Sequence, residues 1–230
     1  RFPVPKLQYR SDPGAHGLVE DADGTLWVGG GNFRLFAFDR NTQEFATYSP
    51  DWIDARKHGG RLTLLSITQD PADSNILWLT VLDYNSSGSQ FDSYGLVSFD
   101  KTTKAFTPHP CHGETKHVDS KGHLWGTYWG NWITQYDPGT SQCDTFQYEV
   151  QYRGQMVKPL ANDIELYKGK MFVASSRSLM TFDPKIGFDL VMNSKDEDEY
   201  VSLFTDHMNN LWIGSTHGAH VIDPDRQHIR

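Results

Sequence analysis

The segment that decides the fold runs from His117 to Thr127, reads HVDSKGHLWGT, and continues at Asn131–Asp137 as NWITQYD. An apolar stretch leads into an acidic turn with glycine, then into a Leu-Trp strand, a loop, and a strand that ends in an aromatic residue and aspartate. Tight-turn residues between short apolar runs predict antiparallel strands. A unit of this size cannot bury both faces of its own sheet, so its recurrence along the chain decides the architecture.

The Leu-Trp strand recurs five times, with its aromatic residue at Trp27, Trp78, Trp125, Phe172 and Trp212. Each copy is followed by an aromatic or aliphatic residue and an aspartate. A period of about 40–50 residues with several short strands per unit is typical of propeller blades. We therefore predict an all-β fold, a single five-bladed β-propeller with four-stranded antiparallel blades, in one domain spanning residues 1–230.

The two ends of the chain suggest how the ring closes. The last copy leaves little room for a fourth strand before Arg230, whereas Lys6–Tyr9 reads as a strand without a repeat of its own. We predict that this N-terminal strand completes the final blade and closes the ring, which would protect open sheet edges. The alternative is a fragment of a longer array.

Composition narrows the range of partners. The chain carries 29 acidic and 21 basic residues, a net charge of −8, which argues against nucleic acid and anionic membrane surfaces. No apolar run approaches the roughly 20 residues that a membrane span needs. Cys111 and Cys143 fit a disulfide or two free thiols, and Asn85-Ser86-Ser87 is a glycosylation sequon. We expect a secreted or extracytoplasmic monomer that does not insert into membranes.

At Glu20–Gly29 (EDADGTLWVG) and Asn210–Thr216 (NLWIGST) the chain resembles the two-component-regulator propeller repeat. Streptogramin-type lyases and gluconolactonase/regucalcin-like enzymes have similar repeats. The resemblance implies a propeller fold. Many members of the regulator family are sensor domains of membrane kinases with many more than five repeats, and this chain differs from them in that respect.

The gluconolactonase-like resemblance implies a divalent metal held by Glu, Asn and Asp at the starts of inner strands. Asn162-Asp163 resembles the Asn-Asp element of that site, but His16 stands at the position of the Glu, and Glu199-Tyr200 replaces the Asp-Gly element. We therefore expect no cofactor and no metal at this position.

Two groups of histidines are candidates for other metal ligands. His109, Cys111 and His112 share a loop, but their spacing matches no standard zinc motif, so a polar loop is expected. His217 and His220 fall three residues apart on a predicted strand. That spacing predicts side chains on opposite faces and structural roles.

The irregular segments fall in the loops that surround the mouth of a propeller's channel, and function concentrates on such loops. Tyr and Trp side chains there predict an apolar pocket with polar groups, while imidazole and guanidinium suit proton transfer and oxyanion binding. The predicted ligand-binding residues are Trp52, Arg56, Tyr84, Trp129, Asn131, Asn162 and His217. The predicted catalytic residues are His16, His58, His112, Tyr128 and Arg177.

The sequence contains no Gly-x-Ser-x-Gly elbow and no legible hydrolytic triad. We therefore predict a small-molecule enzyme of lyase or cyclase type with an aromatic central pocket. The alternative is an extracytoplasmic ligand-binding or sensor propeller without catalysis, and a third possibility is a protein scaffold or carbohydrate-binding propeller. The sequence does not identify the ligand.

Overall fold

A computed structural model describes residues 16–52, 62–84, 91–128, 130–195 and 198–222. Every regular element in these ranges is a β-strand, and each of the five repeat copies forms its own antiparallel sheet. The all-β prediction is therefore confirmed. Within these ranges, no helix has the length and hydropathy required to cross a membrane.

Sheets 1 and 2 are four-stranded meanders in which neighbours in sequence are neighbours in the sheet. Sheet 1 contains β1 (Leu18–Glu20), β2 (Leu26–Gly30), β3 (Arg34–Asp39) and β4 (Glu44–Tyr48). Sheet 2 contains β5 (Leu62–Gln69), β6 (Ile76–Tyr84), β7 (Phe91–Asp100) and β8 (Phe106–His109).

The remaining repeat copies follow the same order. Sheet 3 contains β9 (Glu114–Val118), β10 (Leu124–Tyr128), β11 (Trp132–Asp137) and β12 (Gln142–Gln147), and a separate hairpin follows with β13 (Val150–Tyr152) and β14 (Gln155–Val157). Sheet 4 contains β15 (Ala161–Tyr167), β16 (Lys170–Ser175), β17 (Ser178–Asp183) and β18 (Gly187–Asn193). Sheet 5 contains β19 (Tyr200–Thr205), β20 (Leu211–Ser215) and β21 (Gly218–Ile222).

The repeated aspartate after each third strand closes a turn. Asp39 Oδ1 accepts hydrogen bonds from the backbone N–H groups of Asn41 and Thr42 at 2.7 and 3.2 Å. Asp100 and Asp183 do the same with the residues two and three positions later. A carboxylate that satisfies the backbone two residues on is the chemistry that favours Asp in turns. The aromatic-Asp pattern is thus a turn signal.

The acidic turn and the repeat tryptophan are joined by a hydrogen bond. The indole Nε1 donates to a carboxylate oxygen of the preceding turn in Trp27–Asp21 at 2.7 Å and in Trp78–Asp70 at 2.9 Å. This bond satisfies the indole N–H at the sheet face, where an unpaired donor would be costly. The acidic turn and the repeat tryptophan therefore occur together in the sequence because they form this hydrogen bond.

The chain divides into two compact units, residues 1–122 with 138–142, and residues 123–137 with 143–230. The core of the first unit is built around Trp27, Leu64, Leu79 and Phe99. The second unit has two clusters of buried residues, one with Trp125 and Phe182 and one with Tyr167, Leu179 and Ile213. The single domain predicted for residues 1–230 stays a prediction.

Three features differ from the predicted pattern. The hairpin β13–β14 was not anticipated; its turn places Arg153 and Gly154 at φ 48° and 80°, the left-handed conformations that tight hairpin turns need. The irregular segments expected to form loops include an insertion at residues 81–94, and both ends of it belong to strands β6 and β7, with Tyr84 opposite Phe91. Sheet 5 has three described strands, and the closing strand predicted at Lys6–Tyr9 lies outside the described residues.

Both cysteines are disulfide-bonded. Cys111 and Cys143 are the two cysteines of the chain, and neither is a free thiol. The composition fitted either a disulfide or two free thiols, and the structure has the disulfide-bonded form. Disulfides of this kind persist in oxidising compartments.

Candidate functional site

A group of polar side chains surrounds the carboxylate of Asp198, just before β19. Thr216 Oγ1 donates a hydrogen bond to Asp198 Oδ1 at 2.9 Å, and the backbone N–H of His217 donates to the same oxygen at 3.2 Å. The ring Nδ1 of His217 lies 3.3 Å from Oδ1, and Nε2 of His220 lies 3.7 Å from Oδ2. We call Asp198, Thr216, His217 and His220 the Asp198 site.

The strand ends hold this site in place. The backbone of Thr216 donates to the carbonyl of Glu199 at 3.0 Å, and the N–H of Glu199 donates to Thr216 Oγ1 at 3.1 Å. These bonds prolong the pairing of β19 with β20. The register between those strands shifts between Tyr200 and Ser202. Such irregularities re-aim side chains next to functional sites.

Hydrogen bonding keeps Asp198 ionised. Burial by itself would raise the pKa of this carboxyl, but hydrogen bonds from Thr216, Ser215 and His217 outweigh it and hold the pKa well below its usual value. A carboxylate accepts hydrogen bonds and cannot donate them, so its bond to His217 places a proton on Nδ1 of that ring. The second nitrogen, Nε2, is then the basic atom, and the side chain is 70% exposed.

Tyr200 lies beside this carboxylate. Burial and the negative charge of Asp198 raise the pKa of Tyr200 to about 12. Its hydroxyl therefore stays protonated at neutral pH, and it donates to the carbonyl oxygen of Asn193 at 3.4 Å. The phenol ring contacts the imidazole of His220 edge-on, with centroids 6.0 Å apart.

Arg177 lies in the turn between β16 and β17 and points its charge toward the neighbouring sheet. Its Nη1 is 3.8 Å from Oε1 of Glu199, and its guanidinium lies 5.6 Å from the centre of the Tyr152 ring. About a third of the side chain is exposed. A partly exposed guanidinium can bind a carboxylate or an oxyanion. The sequence prediction had given Arg177 that role.

Asn162 is tied to the same segment of chain. Its side-chain Nδ2 donates to the carbonyl oxygen of Tyr200 at 2.7 Å, and Oδ2 of Asp163 accepts from the backbone of Leu203 at 2.8 Å. Both side chains therefore bind backbone of β19. No group of three or more His, Cys, Asp or Glu side chains suited to a metal occurs in the described part of the chain.

Three of the predicted site residues thus meet around residues 198–200: Asn162, Arg177 and His217. The prediction that His217 and His220 point to opposite faces is wrong. His217 lies in the turn before β21, so strand alternation does not apply to the pair, and both rings reach one carboxylate.

Other predicted residues have local partners. Trp52 donates from Nε1 to the carbonyl of Phe106 at 3.4 Å and packs edge-on against Phe33, with ring centroids 6.2 Å apart. Asn131 donates its side-chain amide to the carbonyl of Tyr148. His16 and His112 have exposed side chains.

The roles of the predicted site residues all stay predictions, and for five of them the structure describes no side-chain environment. Tyr84 and Tyr128 lie at the ends of β6 and β10. Arg56, His58 and Trp129 lie outside the described residues. The predicted aromatic pocket around Trp129 therefore stays a prediction.

His109 belongs to the packing of sheet 2. Its Nε2 lies 2.8 Å from Ser98 Oγ, and its ring centre lies 4.9 Å from that of Trp78. Burial lowers the pKa of His109. With Cys111 in a disulfide, the polar-loop interpretation of this region agrees with the structure better than a zinc site does.

A cavity of about 820 Å³ runs along β3 and β4 in the first unit. Turn and outer-strand residues line it, among them Asp23, Arg40, Glu44 and Tyr48. None of the predicted site residues contributes to its lining.

Sequence reasoning missed Asp198 and His220 as site residues. Asp198 lies in the acidic run at residues 195–199, and such a run is typical of a solvated loop. A usable signal existed, because in an antiparallel meander the segment before the first strand and the turn between the second and third strands lie at the same end of the sheet. The acidic run and the His-containing turn occupy these two positions. Only the pairing of β19 with β20 shows that the two ends meet.

Solved structures share this fold at low sequence identity. Virginiamycin B lyase from Staphylococcus aureus is 12% identical with a TM-score of 0.61, and the match covers 94% of this chain and 69% of that one. The extracellular domain of a hybrid two component system from B. thetaiotaomicron is 13% identical with a TM-score of 0.53, and the match covers 94% of this chain. The chain spans 32% of that domain's length.

No protein-family model matches the chain, and no curated protein sequence matches it significantly. Both solved structures are propellers, and they are of the kinds that the repeat motif resembles, a two-component regulator and a streptogramin-type lyase. At this level of identity the likeness supports the fold. The chain is similar to propeller proteins in its antiparallel sheets and repeat pattern.

Proposed function

We propose that the Asp198 site binds a small organic molecule and transfers a proton on it, in a reaction of the lyase type. The observation that carries the proposal is the ionised Asp198 carboxylate held between two imidazoles, with His217 Nδ1 at 3.3 Å and His220 Nε2 at 3.7 Å. A carboxylate that orients an imidazole and stabilises its protonated form is a recurrent device for proton transfer.

The chemistry follows from the atoms available. Nε2 of His217 takes a proton from a carbon next to a carbonyl group of the ligand. The electron pair of that C–H bond forms a double bond as the bond to the leaving oxygen breaks, and the leaving group departs with that bond's electrons. Asp198 remains ionised and stabilises the imidazolium, while Arg177 offers a cation for a carboxylate or oxyanion.

A second function is favoured by the openness of the site. His217 keeps most of its side chain exposed, and no described residue covers it as a lid would. Catalysis usually needs a site that excludes water. A ligand-binding or sensor propeller without catalysis fits an open site, and it fits the fold shared with an extracellular regulator domain.

The proposal also includes the location of the protein, the class of its ligand and the arrangement of its sheets. We infer an extracytoplasmic location, because Cys111 and Cys143 are both disulfide-bonded, which suits an oxidising compartment. The net charge of −8 favours a small molecule over nucleic acid. The five repeat sheets would be five successive blades of a propeller.

Native mass spectrometry of the gently purified protein tests ligand binding. We expect a bound organic mass on the wild-type chain that a chelator does not remove and that is lost in His217→Gln. His207→Gln is the matched control, because His207 is an exposed histidine of the turn at the other end of sheet 5. A ligand retained equally by both variants would rule out the Asp198 site.

The identified compound then separates the two functions. In heavy water, a lyase would convert it to a product with a new double bond, visible by proton NMR, and His217→Gln would abolish the conversion. A sensor would bind the compound and return it unchanged.

A further inference from the structure

The backbone of Arg177 is anchored firmly beside the Asp198 site. Its N–H donates to Ser175 Oγ at 3.3 Å, and its carbonyl oxygen accepts from the N–H of Ser194 at 2.8 Å. Ser175 is fully buried, and its hydroxyl also donates to the carbonyl of Ser178 across the same turn at 2.9 Å. The turn between β16 and β17 therefore fixes the direction in which the Arg177 side chain leaves the backbone.

The hairpin β13–β14 supports the charged end of this side chain. The ring centre of Tyr152 lies 5.6 Å from the guanidinium of Arg177 and 5.3 Å from that of Arg153. Asn193 Nδ2 donates to the carbonyl oxygen of Gln151 at 3.1 Å, which ties the hairpin to the outer strand of sheet 4. A guanidinium that an aromatic ring supports keeps its planar set of donors in place, so it loses little freedom when it binds a ligand.

The ion pair of Arg177 is weak. Among the described residues its acidic partner is Glu199, whose Oε1 lies 3.8 Å from Nη1, too far for a hydrogen bond. The two side chains are 35% and 41% exposed, and ion pairs at such exposure contribute little. A ligand carboxylate that accepts two N–H groups of the guanidinium gains more than this contact, so it can replace Glu199.

Glu199 also connects Arg177 to the proposed base. The N–H of Glu199 donates to Thr216 Oγ1 at 3.1 Å, and its carbonyl oxygen accepts from the N–H of Thr216 at 3.0 Å. The next residue is His217, whose exposed side chain carries the basic Nε2. The cation and the base therefore meet at one residue, within the reach of a single ligand.

We propose that the substrate of the Asp198 site is a carboxylate with an ether oxygen on its β carbon, as in a hexuronate that is joined through that oxygen to the next sugar of an oligosaccharide. The inference rests on the proposed lyase-type function and names its substrate class. Arg177 binds the carboxylate. Its positive charge is needed because removal of the neighbouring proton adds a second negative charge to an anion. The exposure of His217 suits a chain that extends beyond the site.

The reaction is an elimination that cleaves the sugar linkage. His217 Nε2 takes the proton from the carbon next to the carboxylate, and the electron pair of that C–H bond forms a carbon–carbon double bond. The bond from the β carbon to the linkage oxygen breaks, and the oxygen leaves with its electrons and takes a proton from water. His217 then returns its proton to the solvent. One product has the carboxylate conjugated to the new double bond, and the other ends in a hydroxyl group.

Oligosaccharides of galacturonate, glucuronate and mannuronate, each joined through the β oxygen, are the probes. Each is compared with its carboxyl-reduced, neutral form by titration calorimetry and by the ultraviolet absorbance of the conjugated product. We expect at least one acid to bind and react, and its neutral form to do neither. Arg177→Gln should weaken binding of that acid about 10- to 100-fold, as loss of a charge-assisted hydrogen bond does. Glu199→Gln should strengthen it, because the competing carboxylate is gone.

Lys185→Gln is the matched control, because it removes one positive charge from the turn at the other end of β17. It should bind the acid like the wild type, and circular dichroism checks that each variant is folded. Equal binding of an acid and its neutral form overturns the substrate class, as does an Arg177→Gln variant that binds the acid unchanged. An acid that binds but is not converted also overturns it and supports the sensor function.

The native mass spectra separate this failure from that of the proposed function. If none of the acids binds while the wild type still carries an organic mass that His217→Gln loses, the substrate class is wrong and the proposed function stands. If no bound mass depends on His217, both are wrong.

Discussion

The carboxylate of Asp206 accepts a hydrogen bond from the indole Nε1 of Trp212 at 2.8 Å, and the same bond joins Asp21 to Trp27 at 2.7 Å. The two bonds are equivalent in geometry but not in environment. The side chain of Asp21 is buried beneath Lys101, while Trp212 is 41% exposed. The same local hydrogen bond therefore occurs once in a buried and once in an exposed environment. Variants at the two places should differ in their effect on stability.

Removing the buried carboxylate should be costly. Asp21→Ala deletes the partner of Lys101, whose side chain is 8% exposed, and of the Trp27 indole. We expect the free energy of unfolding to fall by about 3–5 kcal/mol, the usual loss when one member of a buried ion pair is removed. Urea denaturation measures it. Asp23→Ala is the control, because its side chain is 68% exposed, and it should cost below about 1 kcal/mol. Equal losses would contradict the assignment of Asp21 as the buried partner.

Acid should weaken the turn of sheet 5. Hydrogen bonds from the Trp212 indole and from Asn210 lower the pKa of Asp206 from 3.8 to about 2. The folded state therefore gains stability from this group above the unfolded pKa, and the gain is lost as the pH falls from about 4 through about 2. Asp206→Asn should lose less stability than the wild type between pH 6 and pH 2.5 in urea titrations. Asp51→Asn, an exposed aspartate, should follow the wild type. Parallel pH curves for Asp206→Asn and the wild type would refute the prediction.

The repeat tryptophans should differ in their contribution to stability. Trp125→Ala removes a side chain that is 2% exposed and packs against Phe182, and we expect a loss of about 3–5 kcal/mol. Trp212→Ala should cost less than about 2 kcal/mol, because much of that ring already contacts water. Thermal and urea unfolding at low protein concentration compare them. A larger loss at Trp212 would mean that its face is covered within one chain.

Gly29 should tolerate no side chain. A Cβ there would lie 2.6 Å from Leu64 Cδ2 and 2.9 Å from the Leu64 carbonyl oxygen, and the backbone atom cannot move aside cheaply. Gly29→Ala should destabilise the protein by about 1–3 kcal/mol, the usual cost of overpacking. In a Leu64→Ala background, Gly29→Ala should cost less than it does in the wild type, because only the clash with the backbone carbonyl oxygen remains. Unchanged stability of the single variant would show that β2 and β5 can separate.

The sequence determined the local structure of this protein. The acidic turn, the Leu-Trp strand and the aromatic-Asp ending predicted the hairpins, because each depends on groups only two to eight residues apart, as in the Asp39 turn and the bond from Trp78 to Asp70. The repeat also predicted one antiparallel sheet per copy. The run of glycines at residues 29–31 favours close packing, and Gly29 and Gly30 lie against Leu64 and Phe36.

The tertiary structure decided the candidate site. Asp198, His217 and Asn162 are far apart in sequence, and they meet at residues 198–200 because β19 pairs with β20 and packs beside β15. Strand alternation misplaced His217 and His220, since the first of them lies in a turn whose direction depends on a carboxylate 19 residues away. Likewise, the repeat pattern predicts the same degree of burial for Trp212 and Trp27. Only the arrangement of whole sheets leaves one of them exposed, because burial depends on what packs against a face and not on the residues that form it.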